Sequence, residues 1–176
     1  MKVVVFGNIG SGKTTLVNRL QNIFPFCIIS VDDFRRRFGD GSKEKEMIAR
    51  QNFLLAVKEN ENQFIECLGV GMVADKLFES LCLTHEIVVC IILISSKGTC
   101  LSRLSMRNWD IPFHYPVEEV VSLVGRTDEK IADKEIENRW RKRQNTIIVK
   151  RNNESLGELE SILIETTHII QQQLQK

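Results

Sequence analysis

The sequence predicts a three-layer α/β fold, a doubly wound parallel sheet of five strands with helices on both faces, and three observations carry that prediction. Short, β-branched apolar runs alternate with longer amphipathic segments; the run at 87–94 (IVVCIILI) is apolar throughout; and a glycine-rich turn stands directly between the first run and the first amphipathic segment. Alternating β and α patterns build parallel sheets, and a strand that is apolar at every position is one covered by helices on both sides.

Each element follows in order. Residues 2–6 form the first apolar run and glycines end it, which reads as a buried strand. Leu16, Leu20, Ile23 and Phe24 recur at helical spacing until Pro25 stops them, so 13–24 is a helix. A second strand is expected over 27–30, followed at 31–38 by a loop opening a short helix whose first residues are acidic, as suits a helix N-terminus. The helical pattern returns over 47–57, a short third strand over 62–66, a helix over 70–83 and the central strand over 86–95. Helical spacing resumes over 97–105, prolines 112 and 116 break the next stretch, and 117–143 reads as a long charged helix with a break at Gly125. A fifth strand at 146–150 precedes a final helix with Leu156, Leu159, Leu163, Ile170 and Leu174 on one stripe.

Composition bounds what this fold can do. With 176 residues, 43% hydrophobic and 27% charged, the chain has the length of one domain, 1–176, with a real core. A net charge of +1 provides no global field for nucleic acid or membrane, so anion binding must come from local clusters. The five cysteines are odd in number and form no C-x-x-C pair, which points to reduced, buried thiols. No apolar stretch approaches the ~18 residues of a membrane span, so a soluble, cytoplasmic protein is expected.

The chemistry starts at GNIGSGKT, residues 7–14, a full match to G-x-x-x-x-G-K-[ST] between a predicted strand and a predicted helix. Gly7, Gly10 and Gly12 let the backbone around Asn8, Ile9 and Ser11 turn tightly and aim N–H groups inward, and the following helix start adds partial positive charge. Lys13 then reaches the terminal phosphates of ATP, Thr14 places its hydroxyl on Mg²⁺, and Thr15 completes the cradle. A dinucleotide fold is a poor match because Lys13 and Thr15 occupy the third-glycine region. GTPase elements and a transporter signature are absent from the sequence, which leaves a kinase, needing an acceptor site and arginines to stabilise transferred charge.

Asp32 and Asp33 follow the second strand, where ligands of open α/β sheets bind. One aspartate is suited to accept the proton of an attacking hydroxyl, with Asp32 favoured, and Arg35 to hold an anionic group. The plainer alternative is a helix cap followed by a solvated charged face. Glu66, at the end of the third strand, is a candidate for metal-bound water or acceptor; a surface salt bridge explains it equally well. The central strand ends in Ser95 and Ser96 without the acid expected beside a metal. Arg103 and Arg107, four apart, share a helix face before a proline-broken segment and fit a lid, with Arg126 a further lid candidate. The three histidines are scattered and support no zinc site.

With these residues set out, the chain resembles the polynucleotide kinase and zeta-toxin-like group of P-loop kinases, within the nucleoside and nucleotide kinase superfamily. The likeness rests on residues 7–15, on SVDDFR at 30–35, which is similar to the D-D-x-R element of polynucleotide kinases, and on Arg103-x-x-x-Arg107 before a proline-containing turn. It implies Asp32 as general base, Arg35 on an acceptor phosphate, and Arg103 and Arg107 as lid arginines on ATP, so that the catalytic candidates are Lys13 of the turn, Asp32 and Arg107. It further implies a P-loop NTP hydrolase sheet of order 2-3-1-4-5, a small helical lid near 103–126, and an adenine loop at which Arg151 and Asn152 are candidates. The segment Glu66-Cys67-Leu68-Gly69 departs from the group's pattern, so the acceptor pocket differs. The expected activity is γ-phosphoryl transfer from ATP to a hydroxyl of a nucleoside, nucleotide or nucleic-acid 5′ end. A nucleoside monophosphate kinase-like enzyme and a non-catalytic ATP-binding module are the alternatives. Basic runs at 35–37 and 139–143 fit a nucleic-acid partner or a solvated helix face.

Overall fold

In the computed structural model, which describes residues 1–59, 61–106, 111–112, 117–132 and 134–176, five strands run parallel. They are β1 (Lys2–Gly7), β2 (Cys27–Ser30), β3 (Gln63–Cys67), β4 (Val88–Ile94) and β5 (Thr146–Asn152), in the order β2-β3-β1-β4-β5. This is the order that the resemblance implied. All pairs are parallel, so the carboxyl ends of the strands share one edge of the sheet. The turn after β1 and the start of the helix after β2 lie at that edge.

Period-two alternation divides the apolar strand residues between two cores. Val4, Phe6, Cys90 and Ile92 face helices α2 (Val31–Phe38), α3 (Lys43–Glu59), α4 (Met72–Cys82) and α7 (Glu135–Trp140). Val3, Val5, Val89, Ile91 and Leu93 face α1 (Lys13–Gln21) and α8 (Leu156–Leu174). Trp140 is fully buried, with its ring 5.5 Å from Phe6 and 5.2 Å from Phe78. A third, smaller cluster joins Ile9 of the glycine-rich turn to α5 (Lys97–Ser105) and α6 (Val117–Ala132) through Cys100, Leu104, Val120 and Val124.

Several boundaries differ from the sequence reading. Residues 31–38 are helical from the start, because the Ser30 side chain caps α2 by accepting from Asp33 N. The break expected at Gly125 lies instead at Lys134, which adopts a left-handed conformation (φ 59°) between α6 and α7; Gly125 continues the helix. Cys27 and Cys82 are exposed, and Cys67, Cys90 and Cys100 are buried. No helix among the described residues is long and apolar enough to cross a membrane.

Candidate active site

At the end of β1 the chain makes the turn that the motif anticipates. Gly10 and Gly12 adopt φ of 81° and 92°, the left-handed region where a side chain is strained. Space excludes one as well: a Cβ on Gly10 would lie 2.6 Å from the Cys100 carbonyl oxygen, and one on Gly12 would lie 2.5 Å from Asn153 Nδ2. Gly12 is the N-cap of α1 and no side chain caps that helix, so the first-turn N–H groups have no intrahelical acceptor and are available to an anion. Asn153 Nδ2 donates to Ser11 O at 2.7 Å and Ser95 Oγ to Asn153 O at 2.7 Å, bracing the turn from β4 and β5. Arg103 donates to Gly10 O at 3.2 Å.

Lys13 Nζ donates to the Asn8 carbonyl at 2.8 Å, folding its ammonium back over the turn. Thr14 Oγ1 donates to Glu66 Oε1 at 2.6 Å. Strand register explains this pair, since Glu66 lies beside Val5 of β1 on one side and Ser30 of β2 on the other. A hydroxyl and a carboxylate at the foot of an anion cradle fit Mg²⁺, a hard ion that takes few protein oxygens and keeps most of its waters. Among the described residues no three His, Cys, Asp or Glu side chains gather as a metal site, so such an ion would depend on phosphate oxygens as well.

A second set of charges adjoins the cradle. Arg35 is 8% exposed; its Nη1 donates to Asp32 Oδ1 at 2.8 Å, and its Nε and Nη2 donate to the two oxygens of Glu46 at 2.9 and 2.7 Å. Arg50 Nε donates to Glu46 Oε1 at 2.6 Å. Burial by itself would raise the Glu46 carboxyl, but the hydrogen bonds and charges of Arg35 and Arg50 outweigh it and hold the group below its ordinary value.

Both sets line one cavity of about 670 Å³. Lys13, Thr14, Asp32, Arg35, Glu66 and Arg103 share its wall with the sequence's further lid candidate, Arg126, while Val70, Met72 and Leu123 supply apolar surface. That volume lies within the roughly 300–1,000 Å³ of small-molecule sites. Asp33 pairs with Arg36 at 2.8 Å and, with Asn18 and Gln21, lines a smaller polar cavity of about 360 Å³ that shares Thr14, Asp32 and Glu66 with the first. Arg151 is engaged by Glu165 at 2.8 Å on an exposed surface, and Asn152 is exposed at the end of β5. The neighbouring Asn153 is the residue that turns in to the cradle. Arg107 lies outside the described residues. The sequence reading missed Glu46, Arg50 and Asn153. Only the Glu46–Arg50 spacing of four carried a signal.

The chain matches no protein-family model and no curated protein sequence. Solved structures do match it. A shikimate kinase from Bacteroides thetaiotaomicron superimposes with a TM-score of 0.65 at 18% identity, covering 97% of this chain and 98% of its own. A gluconokinase from Sinorhizobium meliloti 1021 gives 0.56 at 17% identity, covering 95% of each chain. A deoxyadenosine kinase from M. mycoides gives 0.55 at 16% identity, covering 96% of this chain and all of its own (100%). These likenesses concern the fold and do not single out the polynucleotide kinase group. What the chain shares with them over nearly its whole length is the fold, a five-stranded parallel sheet of P-loop kinase type.

Proposed function

We propose that this chain is an ATP- and Mg²⁺-dependent kinase that transfers the γ-phosphoryl group to a hydroxyl of a nucleoside, nucleotide or nucleic-acid 5′ end. The observation that carries the reading is that the anion cradle with Lys13 and the carboxylate of Asp32 open into one cavity, so that a phosphate chain and a hydroxyl acceptor can meet there. Lys13 leaves Asn8 O to hold phosphate oxygens, joined by Arg103 and by Arg107 in the lid. Asp32 takes the proton of the attacking hydroxyl, with Arg35 fixing the carboxylate's orientation through the 2.8 Å bond. Thr14 and Glu66 would hold the metal ion, which would supply charge to offset that of the phosphate oxygens.

Arg35, held by Asp32 and Glu46, and Arg50, held by Glu46, both line the cavity, and together they hold an anionic group on the acceptor. This favours a nucleotide or a 5′-hydroxyl nucleic-acid end, each of which carries a phosphate away from the accepting hydroxyl, over a neutral nucleoside. Domain organisation follows the same reading: one kinase domain over 1–176 with a lid near 103–126.

Labelled ATP incubated with separate pools of nucleosides, nucleotides and 5′-hydroxyl oligonucleotides tests the reading, and label should pass to an anionic pool. Asp32→Asn should abolish transfer while ATP affinity stays within about threefold; retained turnover would remove Asp32 from the base role. The absence of an acid after β4 favours a second reading, an ATP-binding module without transferase activity. Tight ATP binding with no transfer to any pool would decide for it.

A further inference from the structure

Asn8 occupies the first variable position of the glycine-rich turn and is 1% exposed. Its carbonyl accepts from Lys13 Nζ at 2.8 Å and from Ser11 N at 3.1 Å, and its Oδ1 accepts from Ile9 N at 2.9 Å. These three bonds shape the turn. The fourth leaves it: Nδ2 donates at 2.7 Å to the carbonyl of Val124 on α6, 116 residues away. That carbonyl lies inside a helix, where the ladder uses one of its lone pairs and the Asn8 amide takes the other. Beside it Ile9 packs against Val120 and Val124.

Helix α6 therefore has two working faces. Val120 and Val124 dock on the turn, and Glu119, Leu123 and Arg126, spaced four and three apart, line the cavity. Among the described residues the Arg126 guanidinium makes no hydrogen bond or ion pair, and the residue is exposed at the cavity wall. Where Arg126 stands is decided by how the other face of α6 is held. Apolar packing against Ile9 leaves rotation and sliding soft, because it is not directional, whereas one buried hydrogen bond to Val124 defines both.

We propose that Asn8 is a positioning residue for Arg126, its side-chain amide latching α6 to the phosphate-binding turn so that Arg126 is held against the anions bound in the cavity. The proposal rests on the nucleotide reading above for what Arg126 meets, but the latch is separately observable. Ser11 and Val124 hold the two ends of one residue, so the cradle and the α6 wall of the cavity move as a unit. In sequence Asn8 reads only as a lining residue of the cradle.

The test uses Asn8→Ala and the near-isosteric Asn8→Asp, which keeps the shape and removes the donor. Hydrogen exchange of nucleotide-free protein should show α6 amides exchanging about 5–10-fold faster in both variants, the loss of one buried hydrogen bond, with α8 unchanged as the internal control for folding. Unchanged α6 exchange overturns the proposal. Titration calorimetry with Mg²⁺-ATP and turnover are then measured for wild type, Asn8→Ala, Arg126→Ala and the double variant. Arg126→Ala should weaken one of the two quantities, and the double variant should be no worse than Arg126→Ala alone. Independent, multiplying effects overturn the proposal, as does an Arg126→Ala variant that changes neither. A wild-type protein that fails to bind ATP refutes the nucleotide reading instead, and the exchange experiment still decides the latch.

Discussion

Glu46 accepts hydrogen bonds from Arg35 and Arg50 while only 5% exposed, so its charge is compensated by partners from two helices. Removing one member of a buried ion cluster costs about 3–5 kcal/mol because the remaining charges stay desolvated. Glu46→Gln is therefore expected to lower stability by about that amount, read as a shift in the urea midpoint at unchanged m-value, and an unshifted midpoint would contradict the role given to the cluster. The pH dependence has a definite sign. Because the folded-state pKa of Glu46 is depressed, its stabilisation is present above the ordinary glutamate value and is lost as pH falls through the folded value. Acid denaturation of wild type should consequently steepen below about pH 4.3, the usual glutamate range, and Glu46→Gln should lack that component. At this scale the sequence made Asp32, Lys13 and Thr14 legible, since each stands in or beside a local motif. It left Glu46 unread, because the Arg35–Glu46 pair spans the turn between α2 and α3 and no local spacing encodes it.

Among the elements, the cradle and the start of α8 are each governed by one terminus. Gly10→Ala would press a Cβ against the Cys100 backbone carbonyl at 2.6 Å with φ of 81°, a backbone contact that cannot rotate away. ATP affinity should fall at least tenfold while circular dichroism stays that of wild type; retained affinity would show that the turn tolerates another path. At α8 the Ser155 side chain accepts from Glu158 N and Glu158 reaches back to the cap. Ser155→Ala should cost about 0.5–2 kcal/mol in thermal unfolding with ATP binding unaltered. The helix over 97–105 was readable from its period, and the one read over 13–24 was found but ends at Gln21, ahead of the Pro25 stop signal. The α6–α7 break was not legible, because a glycine at 125 is a plausible interruption in sequence, whereas the actual left-handed residue is Lys134. Burial of Ile131 and Ile136 in the core under the sheet accounts for that choice: the chain must change direction between two helices that both pack inward.

For the whole molecule, the thiols report how the core on one face of the sheet and the small cluster at the glycine-rich turn are closed. Burial pushes the Cys100 thiol up to about 11 and the Cys90 thiol well above its ordinary value, and Cys67 is raised for the same reason. Among the described residues Cys27 and Cys82 are the exposed pair. An aromatic disulfide reagent at neutral pH should thus titrate two thiols in native protein and five after denaturation; fast reaction of a third would mean that a core opens readily. Strand and helix alternation, the continuously apolar central strand and the glycine-rich turn were sufficient to anticipate a doubly wound parallel sheet, because hydrophobic period and turn chemistry are local properties of the chain. Tertiary structure alone decided which polar groups meet: Thr14 with Glu66, Arg35 with Glu46, and Asn8 with α6. Those contacts join residues from 11 to 116 positions apart, and only strand order and helix docking bring such partners within hydrogen-bond reach.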